Sequence, residues 1–264
     1  MKILEVNNLH TYFETEKGLV KAVQGISFYL EQGKTLGLVG ESGSGKSQTA
    51  NSILKLFEKT QKIHQGEIIF NNQVISDFNE KKMQKIRGKE ISMIFQDPVA
   101  SLNPMFKIKD QIMEILFIHQ EITYKEAYEK ALNMLKKTKI HNCEQIMNCY
   151  PYQLSGGMCQ RVMIAIALIC QPKLLIVDEA TTALDVIVQK EILNLIKEMQ
   201  KENQTAVLFI SHDLSVISEI SDDIIVMLKG KIIEKASTQQ ILKDPKHPYT
   251  RTLLNNFLKT SIIS

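Results

Sequence analysis

The run Leu36 to Ser47, LGLVGESGSGKS, constrains this chain more than any other stretch. Apolar residues Leu36, Leu38 and Val39 lead into Gly40-Glu41-Ser42-Gly43-Ser44-Gly45-Lys46-Ser47, which fits G-x-x-x-x-G-K-[ST] without a mismatch. Helix-compatible sequence follows from Gln48 to Phe57, with Ile53, Leu54 and Phe57 at helical spacing. Strand, glycine loop and helix in that order make a phosphate cradle. Glycines let backbone N–H groups close around phosphate oxygens with no Cβ in the way. The helix start adds unpaired donors and the positive end of its dipole. Lys46 is placed to reach the β- and γ-phosphates, and the Ser47 hydroxyl to sit on Mg²⁺. The motif implies a nucleoside triphosphate ligand.

At 264 residues the chain has room for one large α/β domain with a subdomain and a substantial core. A net charge of +3 with no clustered basic face argues against a dedicated nucleic-acid binder. The opening MKILEVNNLH is interrupted by Glu5, Asn7 and Asn8, so it does not read as a signal peptide. The longest apolar run, Val162 to Cys170, is too short to span a bilayer, and any membrane role is expected to work through a partner. Cys143, Cys149, Cys159 and Cys170 form no C-x-x-C pair and are expected to be reduced, mostly buried fillers.

Ile3 to Phe13 reads as a strand with partial alternation, and Gly25 to Leu30 as its neighbour. Tyr12, near the end of the first, is either a strand aromatic packed on a sheet face or a platform for a flat base; spacing does not decide. Gly66 to Phe70 followed by Asn71-Asn72 signals a hairpin, and a polar stretch runs on to Lys89. Ile91 to Phe95 is a short strand that delivers Gln96, whose amide can contact Mg²⁺ or its water. Asp110–His119 and Tyr124–Lys137 read as amphipathic helices, the second with Ala127, Tyr128, Ala131, Leu132 and Leu135 on one face. Leu154-Ser155-Gly156-Gly157-Met158 opens a further helix with Val162, Ile166 and Ile169 facing one way. Ser155 is its N-cap; the reading is an ordinary capped helix or a second helix start aimed at phosphate.

Leu174 to Val177 is a continuous apolar strand, buried on both faces, that ends in Asp178-Glu179. Carboxylates at the carboxyl end of such a strand lie where α/β proteins bind ligands. Asp178 suits the Mg²⁺ shell, and Glu179 a general base for the attacking water. Thr181 to Asp185 turns into a helix, Val188 to Lys201, with Ile192, Leu195, Ile196 and Met199 inward. Ala206 to Ile210 is another buried strand, ending at Ser211-His212-Asp213. Ile224 to Leu228, the turn Lys229-Gly230 and Lys231 to Glu234 read as a closing hairpin.

Taken together these residues resemble the ATP-binding subunit of ABC transporters over nearly the whole chain. Walker A is Gly40 to Ser47, the Q-loop glutamine Gln96, the signature Leu154 to Met158. Walker B ends at Asp178 with Glu179 as catalytic glutamate, the D-loop is Ala183-Leu184-Asp185, and the switch histidine is His212. FQDPVASLNP, LSGGMCQRVMIAIAL, TTALDV and HPYT (His247 to Thr250) are similar to the oligopeptide, dipeptide and nickel importer family. Three residues depart from the general pattern: Met158, usual in this subfamily, Cys159 in place of an arginine, and Ala180 in place of a proline. None removes a reacting group.

The resemblance implies an α/β fold: a P-loop NTPase (ABC ATPase) core with an N-terminal antiparallel β subdomain and an inserted α-helical subdomain. Residues 1–264 would form a single ABC ATP-binding domain. Residues 1–95 and 171–235 would be the core with its β subdomain, 96–170 the helical signature subdomain and 236–264 a C-terminal tail. It implies ATP and Mg²⁺ as ligands, with Gly40, Ser42, Gly43, Ser44, Gly45, Lys46 and Ser47 around the phosphates, Tyr12 at the adenine, and Ser47, Gln96 and Asp178 near the metal. Glu179, His212, Gln96 and Lys46 would carry the chemistry. Ser155 and Gly157 would serve the nucleotide of a facing cassette, and Gly156 and Asp185 would also belong to the nucleotide-binding residues.

The implied partners are a second, related ATPase subunit in a heterodimer, two transmembrane permease subunits and, indirectly, an extracytoplasmic binding protein, with no nucleic acid. The place is the cytoplasmic face of the cell membrane. The chain stops soon after HPYT with no cysteine beyond Cys170, so the expected cargo is nickel or a metal chelate, with di- or oligopeptides as the alternative. A non-transport ATPase of DNA repair or translation would carry long heptads, C-x-x-C pairs or two cassettes, and none is present in this sequence.

Overall fold

The computed structural model describes residues 1–16, 18–180 and 186–263, with side chains described as far as 255 apart from that of Val186. Its described strands are β1 (Lys2–Thr15), β2 (Gly18–Glu31), β3 (Thr35–Val39), β4 (Gln61–Phe70), β5 (Gln73–Val74), β6 (Ile91–Ile94), β7 (Leu174–Asp178), β8 (Ala206–Ser211), β9 (Asp223–Leu228) and β10 (Lys231–Ser237). The chain forms two compact units, Met1–Met83 with Ala206–Ser264, and Gln84–Thr205. Packing therefore divides the chain at 83/84 and 205/206, whereas the division expected from element type runs at 95/96 and 170/171. The reason is that β6 and β7 pair with each other, so β7 falls in the unit that holds the helices.

In the first unit β2, β1, β4 and β5 form an antiparallel sheet in that order. Ile3, Leu4, Val6 and Leu9 of β1 are buried, but a bulge between Val6 and Leu9, with Asn8 at φ 48°, resets which face points inward. That bulge is why β1 alternates only partly. Phe70 and Gln73 pair across Asn71-Asn72, both at positive φ, the backbone a two-residue hairpin requires. The unit's second sheet region centres on β3, parallel to β8 on one side and β9 on the other, with β10 closing antiparallel on β9. All residues of β3 and β8 are buried, as continuous apolar runs demand in a covered parallel sheet.

The helix after β3 spans Lys46–Leu54 and stops short of Phe57. Lys55 takes φ 51°, and its ammonium is held by the carbonyls of Ser76 and Phe78, at 2.6 Å each. Residues expected as a tail carry the helices Thr238–Lys243 and Pro248–Ile263.

In the second unit β6 and β7 run parallel. Thr123 and Glu126 form a reciprocal capping box at the start of the helix Tyr124–Lys137, which buries Ala127, Ala131, Met134 and Leu135 on one stripe. The helix Gly156–Leu168 buries Val162, Ile164, Ala165 and Leu168 and so is enclosed on several sides, not on the one face expected. The helix Val186–Asn203 turns Ile192, Leu195, Ile196 and Met199 inward, as its spacing predicts. The polar stretch before Lys89 holds a short helix, Glu80–Ile86, whose one buried residue, Met83, gave too little pattern to read. No helix among the described residues is long and apolar enough to cross a membrane.

Candidate functional site

The first unit carries the phosphate loop. Val39, the last residue of β3, lies in register with Ser211 of β8, so Gly40 and His212 both begin loops at the same carboxyl edge. Ligands of parallel α/β sheets bind at that edge. Gly45 has φ 102°, and a Cβ there would strike the Ala22 carbonyl oxygen, so only glycine fits. Gly43, at φ 77°, has nothing within 4 Å of its Cβ position, so the loop's crest is open. The loop is braced from behind by the Gly230 N–H, which donates to the Ser44 carbonyl at 2.9 Å.

Lys46 is only 4% exposed, and its Nζ donates to the Gly40 and Glu41 carbonyls at 2.8 and 3.0 Å. The Ser44 hydroxyl is buried with no partner among the described residues, a condition that costs about 1–3 kcal/mol unless a ligand supplies one. A buried cation, an unsatisfied hydroxyl and an open glycine crest at a helix start fit phosphate oxygens. Ser47 sits half-buried one residue further on, where its hydroxyl could hold Mg²⁺.

The second unit carries the carboxylates. Ile94 of β6 is in register with Val177 of β7, so Gln96 and Glu179 each stand two residues past a paired position. They meet: Gln96 Nε2 donates to Glu179 Oε2 at 3.2 Å. Asp178 ends β7 and is 7% exposed. Glu179 leaves the strand at φ 48°, a left-handed conformation that costs a non-glycine residue roughly 1–2 kcal/mol. In the same unit Ser155 caps the helix Gly156–Leu168, its Oγ accepting from the Met158 N–H at 3.3 Å. Ser155 and Gly156 are exposed, and a Cβ on Gly156 would meet nothing within 4 Å among the described residues. These two small residues leave a helix start open to an outside ligand.

The model of the ABC transporter family matches residues 23–182, well over half of the chain. The chain belongs to the ABC transporter family. This cassette is similar to the oligopeptide transport ATP-binding protein AppD of Bacillus subtilis, with 48% identity over 96% of this chain and 78% of the relative. The corresponding OppD of Salmonella typhimurium is 46% identical over 96% and 75%. The dipeptide transport ATP-binding protein DppD of Bacillus subtilis is 45% identical over 97% and 76%. Among solved structures, the dimeric cassette MJ0796 in a post-hydrolysis state with ADP and Pi superposes with a TM-score of 0.81 at 26% identity, covering 89% of this chain and 99% of that one. The cbiO1 subunit from Clostridium perfringens gives 0.78 at 26%, covering 99% and 98%. The expected P-loop NTPase fold of the ABC type is thereby established.

The names of these relatives favour peptides over the nickel or metal-chelate cargo expected above.

The ABC chain's remaining site residues fall as follows. Tyr12 is half-buried on β1; its hydroxyl meets His10 Nδ1 at 2.9 Å and its ring lies 4.6 Å from that of His64. The same strand leans on the phosphate-loop helix, since Thr11 Oγ1 and Ser52 Oγ are 2.8 Å apart. His212 is exposed at the end of β8. Asp185 lies outside the described residues. All four cysteines are free, Cys143 and Cys159 buried and the other two half-buried; burial raises the thiols of Cys143, Cys159 and Cys170. Arg161 holds the signature helix to its surroundings through an ion pair with Glu191 and a 3.1 Å bond to the Thr138 carbonyl. Sequence reasoning missed Tyr249, whose phenol oxygen accepts the Glu41 N–H at 3.0 Å; its only signal was the HPYT stretch.

Proposed function

We propose that this chain is the ATP-hydrolysing subunit of an importer of di- or oligopeptides, working at the cytoplasmic face of the cell membrane. The observation that carries this reading is similarity over 96–97% of the chain to ATP-binding proteins named for oligopeptide and dipeptide transport. The phosphate loop, with Gly40, Ser42, Gly43, Ser44, Gly45 and Lys46, binds the triphosphate, and Tyr12 supplies the adenine platform. Mg²⁺ would be held by Ser47, Asp178 and Gln96, and would neutralise phosphate charge when bound. Glu179, oriented by Gln96, takes the proton of the attacking water, and His212 steadies the γ-phosphate.

The exposed helix start at Ser155, Gly156 and Gly157 serves the nucleotide of a facing cassette, with Asp185 at the same junction; we take the facing chain to be a related ATPase. A dimeric solved relative supports facing cassettes. The helical lobe around Gln96 to Met113 is the part that meets the two permease subunits, and through them an extracytoplasmic binding protein. A groove of about 410 Å³ supports this, lined by Phe106, Met113, Phe117, Ile118 and Tyr124 with Asp110 at its side. Several of these apolar side chains are exposed, Ile118 at 62%. Ile118→Asp is expected to abolish uptake while leaving ATP affinity of the isolated chain within about twofold, since it adds a charge to a surface and touches no nucleotide residue. Undiminished uptake by that variant would contradict the assignment of the groove.

The cargo is tested in the native host with this chain deleted, by following a labelled tripeptide and labelled nickel. Peptide uptake is expected to collapse and nickel uptake to persist. The reverse result would return the cargo to metal.

A further inference from the structure

Tyr249 belongs to the HPYT stretch, to which no role is assigned above, yet it touches the phosphate loop. Its phenol oxygen accepts the Glu41 N–H at 3.0 Å, while the Glu41 carbonyl, on the other side of the same residue, accepts from Lys46 Nζ at 3.0 Å. The entry of the loop is thus gripped from two directions.

The segment that presents Tyr249 is itself fixed. Glu234 of β10 takes the Lys246 N–H on one carboxylate oxygen at 2.6 Å and the His247 N–H on the other at 3.0 Å. The Tyr249 N–H then donates to His247 Nδ1 at 3.1 Å, and Arg251 Nε to the Pro245 carbonyl at 3.0 Å. Burial raises the Glu234 carboxyl, but the donors around it outweigh that and hold it below the ordinary carboxylate range. Glu234 pairs with Val226, and Val226 with Val39, so the clamp hangs from the same row of the sheet that launches the loop at Gly40. Burial and then the Glu41 carboxylate push the Tyr249 phenol up, against the lowering effect of the Glu41 N–H, so it stays neutral at physiological pH.

We propose that Tyr249 is a positioning residue for the nucleotide, its phenol oxygen holding the Glu41 N–H so that the phosphate loop keeps its binding shape. The proposal rests on the ATPase reading. When Lys46 turns from the Gly40 and Glu41 carbonyls to phosphate oxygens, the loop entry loses its ammonium brace. The Tyr249 contact is what still holds Glu41, from a segment that does not share in that exchange. Glycines on both sides of the motif leave the loop free to relax when the contact is missing, and ordering it again then counts against binding.

The test is Tyr249→Phe, which keeps the ring and its packing and removes one oxygen. A neutral hydrogen bond contributes about 0.5–1.5 kcal/mol, so the Kd for ATP with Mg²⁺, titrated into the full chain, is expected to rise roughly two- to tenfold. The kcat at saturating ATP is expected to stay near that of the unaltered chain and the thermal midpoint without nucleotide to fall by no more than a few degrees, a split that general loosening of the fold would not produce. Glu234→Gln, which weakens the clamp behind Tyr249, is expected to raise Kd in the same direction. An unchanged Kd in Tyr249→Phe overturns the proposal, and so does a fall in kcat with Kd unmoved. Failure of the unaltered chain to bind ATP would instead overturn the nucleotide reading and take this proposal with it.

Discussion

Glu179→Gln is expected to abolish steady-state ATP hydrolysis while the protein still binds ATP and holds it. The two side chains have the same length, and the substituted amide still presents a carbonyl oxygen to Gln96 Nε2, which donates across 3.2 Å in the native protein. Geometry is therefore kept and basicity is lost. A positioned general base contributes about 10²–10⁴-fold, so kcat should fall by at least two orders of magnitude with little change in ATP affinity. Gln96→Ala makes the informative comparison. It leaves the carboxylate in place and removes the amide that orients it, so the loss should be milder, on the order of tenfold. Hydrolysis by radiolabelled phosphate release, with nucleotide occupancy measured on the same samples, separates the two. Normal turnover in Glu179→Gln would remove Glu179 from the role of base.

That pair also marks where sequence stops being informative. The phosphate loop is legible because its chemistry demands fixed residue types at fixed spacing: an open Gly43, a Gly45 pressed against the Ala22 carbonyl, and a lysine opening a helix. Strands β3, β7 and β8 are legible because apolar runs of that length must be buried on both faces. Asn71-Asn72 is legible because few residues other than glycine and asparagine tolerate two successive positive φ values.

Contacts set by register are not legible. Gln96 and Glu179 are 83 residues apart and meet because Ile94 happens to pair with Val177. Tyr249 reaches Glu41 across 208 residues through a clamp on β10 that no local pattern announces. The helix Gly156–Leu168 misled because a segment enclosed on several sides carries no amphipathic stripe, only general apolarity. Cargo was illegible for a different reason: on the transporter reading, no residue of this subunit meets it, so neither its length nor its cysteines report on it. Relatives' names carry that information instead.

The second large effect belongs to Lys46. Its ammonium is 4% exposed and bonded to two loop carbonyls at 2.8 and 3.0 Å, so it is a charge already stripped of most of its water and held beside an unsatisfied Ser44 hydroxyl. Exchanging neutral carbonyls for phosphate oxygens replaces bonds charged only at the donor by bonds charged at both ends, each contributing about 1.5–3 kcal/mol. Two such bonds, even at the lower figure, amount to roughly a hundredfold or more in affinity. Lys46→Ala is therefore expected to reduce ATP affinity by at least that factor and to eliminate hydrolysis and cargo uptake together.

The same substitution leaves the Gly40 and Glu41 carbonyls without that donor, so a fall of a few degrees in thermal midpoint is expected as well. Lys46→Arg discriminates between lost charge and lost fit. It keeps the charge, but a planar guanidinium cannot take the place of a compact ammonium between two carbonyls in a buried niche. Its affinity is expected to stay close to that of Lys46→Ala. An arginine variant that bound ATP like the native protein would mean that charge alone, not the shape of the niche, sets the strength of this site. Native affinity in the alanine variant would take Lys46 out of phosphate binding altogether.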